Sequence, residues 1–180
     1  MTVEFGPIVV FSLLVEQTSF LVATAWFVVL TAVSLIAAFI ERRSFALFPF
    51  VVATSVIAFG TLTLYFKDPF FFIFKDTIYN ATFGILIFIF LNRGIPLLKP
   101  LFKDTFAMTD IGWKVLSKRW GVMFLLLALS NELVRGFLTP EQWAFYKITA
   151  TIVTAVFGFY QLTLSKKYRL PQASEWGMRL

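Results

Sequence analysis

Residues 70–91 read FFFIFKDTIYNATFGILIFIFL, an apolar run as long as the ~20 residues with which a helix crosses ~30 Å of hydrocarbon. Its only charged residues are Lys75 and Asp76, both near its start. Four more runs share this character, at 20–40, 45–66, 120–138 and 143–164. Lipid offers no partner to an unpaired backbone amide, so each run is predicted to be a helix. A soluble chain is about 45–50% apolar and about 25% charged. This one is 59% apolar and 14% charged, with 24 phenylalanines in 180 residues and a mean hydropathy of +0.82. A small soluble fold leaves too much surface in water to hide that composition. The expected fold is all-α: one integral membrane domain over 1–180, a polytopic bundle of five transmembrane helices.

The start of the chain and the loops refine this reading. The apolar run 8–15 is too short to span, and Pro7 suits a first helical position. It reads as a short N-terminal interfacial or re-entrant helix, the rival being one long first helix through Glu16, Gln17 and Thr18. The first six residues hold Glu4 and no Lys or Arg, whereas a cleaved signal peptide opens with positive charge, so none is expected. Basic residues gather in alternate joints and at the C-terminal end: Arg42, Arg43, Arg93, Lys99, Lys103, Lys114, Lys118, Arg119, Lys166, Lys167, Arg169 and Arg179. The other joints and their flanks hold Lys67, Lys75, Arg135 and Lys147. Positive charge stays inside, which places the loop 92–119 and the C-terminus in the cytoplasm and the N-terminus outside.

The net charge of +6 is explained by anionic lipid headgroups on the cytoplasmic face, so no nucleic acid is expected. With neither cysteine nor histidine, thiol nucleophiles, disulfides and the usual zinc and haem ligands are absent. No catalytic residue, metal site or cofactor is expected.

In the loop 92–119, Trp113, Leu116 and Trp120 form one helical stripe beside Lys114 and Lys118. Trp113, Lys114, Lys118 and Trp120 read as an interfacial anchor for the fourth span, with a partner-docking surface as the alternative.

Two hairpins repeat one pattern. Asp68-Pro69 precedes Phe70–Phe74 and Lys75; Thr139-Pro140 precedes Trp143, Phe145, Tyr146 and Lys147. Each is a cap residue followed by proline at the first helical position, and Thr139 with Gln142 has capping-box spacing. Hydroxyls or amides follow in both, at Thr77, Asn80 and Thr82 and at Thr149, Thr151 and Thr154. Both lysines lie about two turns past their caps, near the edge of the hydrocarbon, where an ionisable group is a functional candidate. Snorkelling to the interface is the plainer role. Thr61, Thr63, Asp68, Lys75, Thr77, Asn80, Asn131, Glu132 and Lys147 would together line an outer polar pocket, with Glu132 pairing Lys147 or Lys75. The competing role is interhelical hydrogen bonding that holds the bundle together.

These residues also carry a resemblance. Gly60-Thr-Leu-Thr-Leu-Tyr-Phe-Lys-Asp68, followed by Phe74-Lys75-Asp76-Thr77-Ile78, resembles the "FGGLTL…D…FIKxKPT" signature of the intracellular septation protein A family, also called inner membrane-spanning proteins. Gly6-Pro7, Ala23-Thr24, Trp113, Trp120, Asn131-Glu132 and Trp143 to Lys147 extend the likeness over nearly the whole chain. One departure stands out: the family's Lys-Pro-Thr is Lys75-Asp76-Thr77 here, a carboxylate in place of a proline. The resemblance implies a bacterial inner-membrane protein tied to septation and the cell envelope, with no established reaction.

Two function classes follow. The first is a non-enzymatic scaffold touching other membrane proteins of division or envelope synthesis; a homo-oligomer fits it too, since Ser34 and Ala38 would permit close helix approach. The second is a small transporter, flippase or channel built on the repeated hairpin, for which Gln161 is a candidate polar residue towards the inner side. An enzyme built on a lysine beside carboxylates ranks third.

Overall fold

The computed structural model describes residues 11, 14, 15, 17–42 and 47–179. Six helices form among them: α1 Phe20–Arg42, α2 Leu47–Phe66, α3 Phe70–Asn92, α4 Lys99–Phe102, α5 Asp110–Phe137 and α6 Pro140–Lys167. No strand is present among the described residues, only two isolated β-bridges. α3, α5 and α6 are each long and apolar enough to cross a membrane; Phe20–Ile36 and Ala53–Phe66 are shorter apolar helical stretches. Only 28%, 17% and 17% of the apolar windows of the three long helices are buried by the protein itself. Side chains such as Ile85, Leu129 and Val156 therefore face outwards, which is stable where the surrounding solvent is lipid.

Helix starts follow local chemistry. Phe11, Leu14, Val15 and Gln17 are helical, then the chain bends at Thr18 and Ser19. The Thr18 hydroxyl donates back to the Leu14 carbonyl (2.7 Å), and the Val22 amide donates to Ser19 Oγ (3.4 Å), capping α1. This bend interrupts the single long first helix that was the rival reading; the rest of the expected 8–15 helix lies outside the described residues. Lys67 takes a left-handed conformation (φ 54°) and ends α2. Asp68 Oδ1 accepts the Phe70 amide (2.8 Å) to start α3. At the start of α6 the capping box closes in both directions, Thr139 N–H to Gln142 Oε1 (3.0 Å) and Gln142 N–H to Thr139 Oγ1 (3.4 Å).

One boundary moves. The fourth span was expected over 120–138, but α5 already begins at Asp110. The stripe of Trp113, Leu116 and Trp120 is the first turns of that same helix, because its apolar face finds partners at once.

The chain divides into two compact units: Met1–Thr77 with Asn131–Thr149, and Ile78–Ser130 with Ala150–Leu180. The first has an aromatic core of Phe11, Phe20, Phe72 and Trp143 with Val15, Ala23, Ile73 and Ala144. Its rings meet edge-on, Phe20 and Phe72 for example at 6.0 Å and 79°. The second packs Leu98, Met108, Trp113, Leu116 and Leu164. There α3 and α5 meet at glycines: a Cβ on Gly84 would lie 2.7 Å from the Leu125 side chain, and one on Gly121 would lie 2.9 Å from the Phe88 ring. Bare backbone at both positions lets the helices come close.

Candidate functional site

In the first unit the start of α3, the end of α5 and the start of α6 exchange polar contacts, nearly all between side chains. Lys75 and Asp76 are both buried although charged. Lys75 Nζ donates to Asp76 Oδ1 (2.7 Å) and lies 4.2 Å from the centre of the Phe72 ring. The other carboxylate oxygen, Oδ2, takes the Lys147 ammonium. One carboxylate thus bridges two cations from two helices. Beside it, Asn131 is 2% exposed and fully engaged. Its amide donates to the Ile73 carbonyl (3.1 Å) and to Thr77 Oγ1 (2.9 Å), and its Oδ1 accepts the Trp143 indole N–H (2.8 Å). The Thr77 hydroxyl in turn donates to Glu132 Oε1 (2.5 Å). Glu132 Oε2 takes the fork of Arg135, through Nε at 2.9 Å and through Nη2. The guanidinium also lies over the rings of Phe70 (5.1 Å) and Phe74 (5.9 Å).

Five of the nine predicted pocket residues meet in these contacts: Lys75, Thr77, Asn131, Glu132 and Lys147. The others are placed differently. Asp68 is exposed and spends a carboxylate oxygen on its helix cap. Thr61 is exposed on α2. Thr63 is fully buried, with its hydroxyl lacking a partner among the described residues. Asn80 belongs to the second unit, where it is half-buried.

The expected pairing of Glu132 with Lys147 or Lys75 is corrected. Arg135 sits one helical turn beyond Glu132 (i, i+3) and reaches it without crossing to another helix. That leaves Asp76 to serve both lysines. α3 passes through it without a break. Trp143 and Arg135 were missed as polar partners because the first read as part of an aromatic cap and the second as a loop charge. The i, i+3 spacing of Glu132 and Arg135 was a usable signal; nothing local marks the indole of Trp143 as a donor to Asn131.

Charges and donors in a low-dielectric interior are expensive unless paired and hydrogen-bonded. This network pairs them, so its chemistry is that of a clamp. Further along α6, Thr149 and Thr154 turn their hydroxyls back onto the carbonyls of Phe145 (3.3 Å) and Ala150 (2.7 Å), within their own helix. Among the described residues no group of three or more His, Cys, Asp or Glu could hold a metal ion.

In the second unit, Trp113, expected among headgroups, is 2% exposed and buried in the apolar cluster, while Lys114 and Lys118 are exposed. Trp120 is half-buried and stands edge-on to Phe157 (5.1 Å, 86°). The segment after α6 helps to enclose this end. Ala107 N–H donates to the Gly177 carbonyl (2.8 Å), Leu170 N–H to Ala107 (2.9 Å), Thr109 N–H to Tyr168 (2.9 Å) and Arg179 N–H to Thr105 (2.9 Å). Gln161, buried on α6, accepts from Arg119 Nη1 (3.3 Å).

A family model described as intracellular septation protein A matches residues 1–172. The inner membrane-spanning protein YciB of Afipia carboxidovorans is 32% identical over 172 residues, covering 95% of this chain and 86% of its own. The protein of the same name from Agrobacterium fabrum is 36% identical over 142 residues, 78% of this chain and 70% of its own. That of Rhizobium meliloti is 36% identical over 154 residues, 85% and 73% respectively. No solved structure matches this chain.

Proposed function

The chain belongs to the intracellular septation protein A family, and we propose that it serves septation and envelope integrity as a non-enzymatic scaffold in the bacterial inner membrane. Its helices offer outward apolar stripes for lateral contact with envelope-building proteins: Val29, Val33 and Ile36 on α1, Leu126, Leu129 and Leu133 on α5, and Ile152, Val156 and Phe159 on α6. The observation that carries this reading is the mutual satisfaction of Lys75, Asp76, Lys147, Thr77, Asn131, Glu132 and Arg135. Side chains spent on one another favour a rigid platform over a route for solute. Gln161, the candidate polar residue towards the inner side of a transport pathway, accepts a hydrogen bond from Arg119.

The proposed topology is five spans with the N-terminus outside and the C-terminus in the cytoplasm, on the distribution of Lys and Arg. The chain has no cysteine, so single cysteines report cleanly on sidedness. An impermeant reagent added outside should label Asp68→Cys and spare Lys103→Cys; the opposite result reverses the topology.

Photo-crosslinking in cells tests the scaffold, with a photoreactive residue at Val33, Leu129 or Val156. Proteins of division or envelope synthesis should be captured from at least one stripe. Capture of lipid and of this chain alone overturns the reading. The transporter alternative is separated by the triple variant Lys75→Met, Asp76→Leu, Lys147→Met, since a buried ionic group replaced by apolar residues is often tolerated. A scaffold keeps its envelope phenotype at normal protein level, whereas a transporter working through these charges loses it.

A further inference from the structure

We propose that the cavity at the start of α5 binds the phosphate headgroup of an anionic diacyl phospholipid, recognised by Lys103 and Arg179. This cavity, of about 310 Å³, lies wholly within the second unit. Lys99, Lys103 and Arg179 line it together with Met108, Trp113 and Leu170, so cations and apolar surface share one concavity. Its size reaches the lower end of the ~300–1,000 Å³ range of small-ligand sites. Asp110, on the same wall, already takes Lys99 Nζ at 2.6 Å. Lys103 and Arg179 have no ion-pair partner among the described residues. The Arg179 backbone is tied down, its N–H donating to the Thr105 carbonyl (2.9 Å), so its place on the wall is set in advance.

The neighbourhood selects the ligand class. Leu101 (69% exposed), Phe102 (43%) and Ile111 (65%) stand uncovered beside the cavity residues in sequence. A free anion gains nothing from such surface; the glycerol and acyl carbons of a lipid do. Lys103 and Arg179 suit a phosphate anion, and the uncovered apolar side chains select a phosphodiester that carries acyl chains. Basic pockets at the cytoplasmic ends of membrane helices are known to take anionic headgroups for these reasons. The inference rests on the membrane setting of α5 and not on the scaffold role, so either can fail alone.

The test uses the full chain purified in detergent, with bound dioleoyl phosphatidylglycerol or dioleoyl phosphatidylcholine counted by native mass spectrometry. Phosphatidylglycerol should be retained in preference. The pair Lys103→Gln, Arg179→Gln should lower its retention roughly tenfold or more. The pair Lys114→Gln, Lys118→Gln removes the same charge from exposed positions that do not line the cavity, and should leave retention within about twofold. Lys103→Arg with Arg179→Lys should restore it. Should the first pair fail to fold, Lys103→Gln alone, at an exposed position, carries the comparison. Equal loss in the two Gln pairs means diffuse attraction and overturns the proposal, as does equal retention of both lipids. Displacement of the lipid by millimolar inorganic phosphate would assign the cavity to a soluble phosphate, and displacement by a Glu-rich peptide to an acidic protein segment; each also overturns it.

Discussion

The two units of this protein solve opposite problems with charge. In the first, Lys75 and Asp76 are buried, and the charges of Lys75, Asp76, Lys147, Glu132 and Arg135 are met by one another, so that α3, α5 and α6 are joined by ion pairs and hydrogen bonds. In the second, the interior is apolar around Trp113, Leu116 and Leu164, Lys114, Lys118 and Lys103 are exposed, and the chain is fastened by backbone hydrogen bonds between 105–109 and 168–179. The lesson is one of solvent. A charge withdrawn from water must bring its counter-charge along, whereas a charge at a wet rim needs none and stays available to a ligand.

The comparison breaks most severely at Asp76. Asp76→Ala strips Lys75 of its carboxylate partner and should cost about 3–5 kcal/mol in a reversible unfolding titration; a loss below about 1 kcal/mol would mean that the ammonium groups reach water instead. In the second unit the sensitive point is packing. Gly121→Ala drives a methyl towards the Phe88 ring and should cost about 1–3 kcal/mol by the same titration, and that cost should be insensitive to salt. Smaller still is Gly177→Ala. Its φ of 74° and a Cβ only 2.6 Å from the Ser165 carbonyl oxygen forbid the side chain. Amide exchange at Ala107, Thr109 and Leu170 should quicken while global unfolding stays within about 0.5 kcal/mol, because a segment fastened by a few backbone hydrogen bonds opens by itself.

The least effect sharpens the contrast through pH. The hydrogen bond from Lys166 (2.5 Å), then its charge, hold the Glu175 carboxyl below the ordinary glutamate range. A carboxyl depressed in the folded state stabilises above its unfolded value and loses that contribution as pH falls through the folded one. Fastening of residues 168–179 should therefore loosen only as the pH drops below about 4.5, the usual value for this group. Fully exposed and screened, it should move amide exchange in that segment without shifting global stability, and Glu175→Gln should erase the dependence.

Particular residues show how much of this was readable in advance. Asp68-Pro69 and Thr139-Pro140-Glu141-Gln142 announced two helix starts, since a cap acts on its own amides. The similar distance of Lys75 and Lys147 from those caps, about two turns in each case, pointed to a shared environment. It did not reveal Asp76 as the carboxylate between them, because a pairing across α3 and α6 depends on how the helices rotate. The helix that carries the fourth span begins at Asp110, ten residues before Trp120, since hydropathy is blind to a helix whose first turns carry Lys114, Lys118 and Arg119. Residues 168–179 offered no motif, since backbone groups do that work and any sequence can supply them.

Length, apolar content and the placement of basic residues were enough to establish a helical membrane protein, because transfer into lipid depends on composition summed over a run and not on neighbours. Which side chains share Asp76, where Trp143 spends its N–H and how the cavity beside Trp113 is enclosed were settled only in three dimensions. Those are contacts between distant segments, and their energies exist only once the helices have packed.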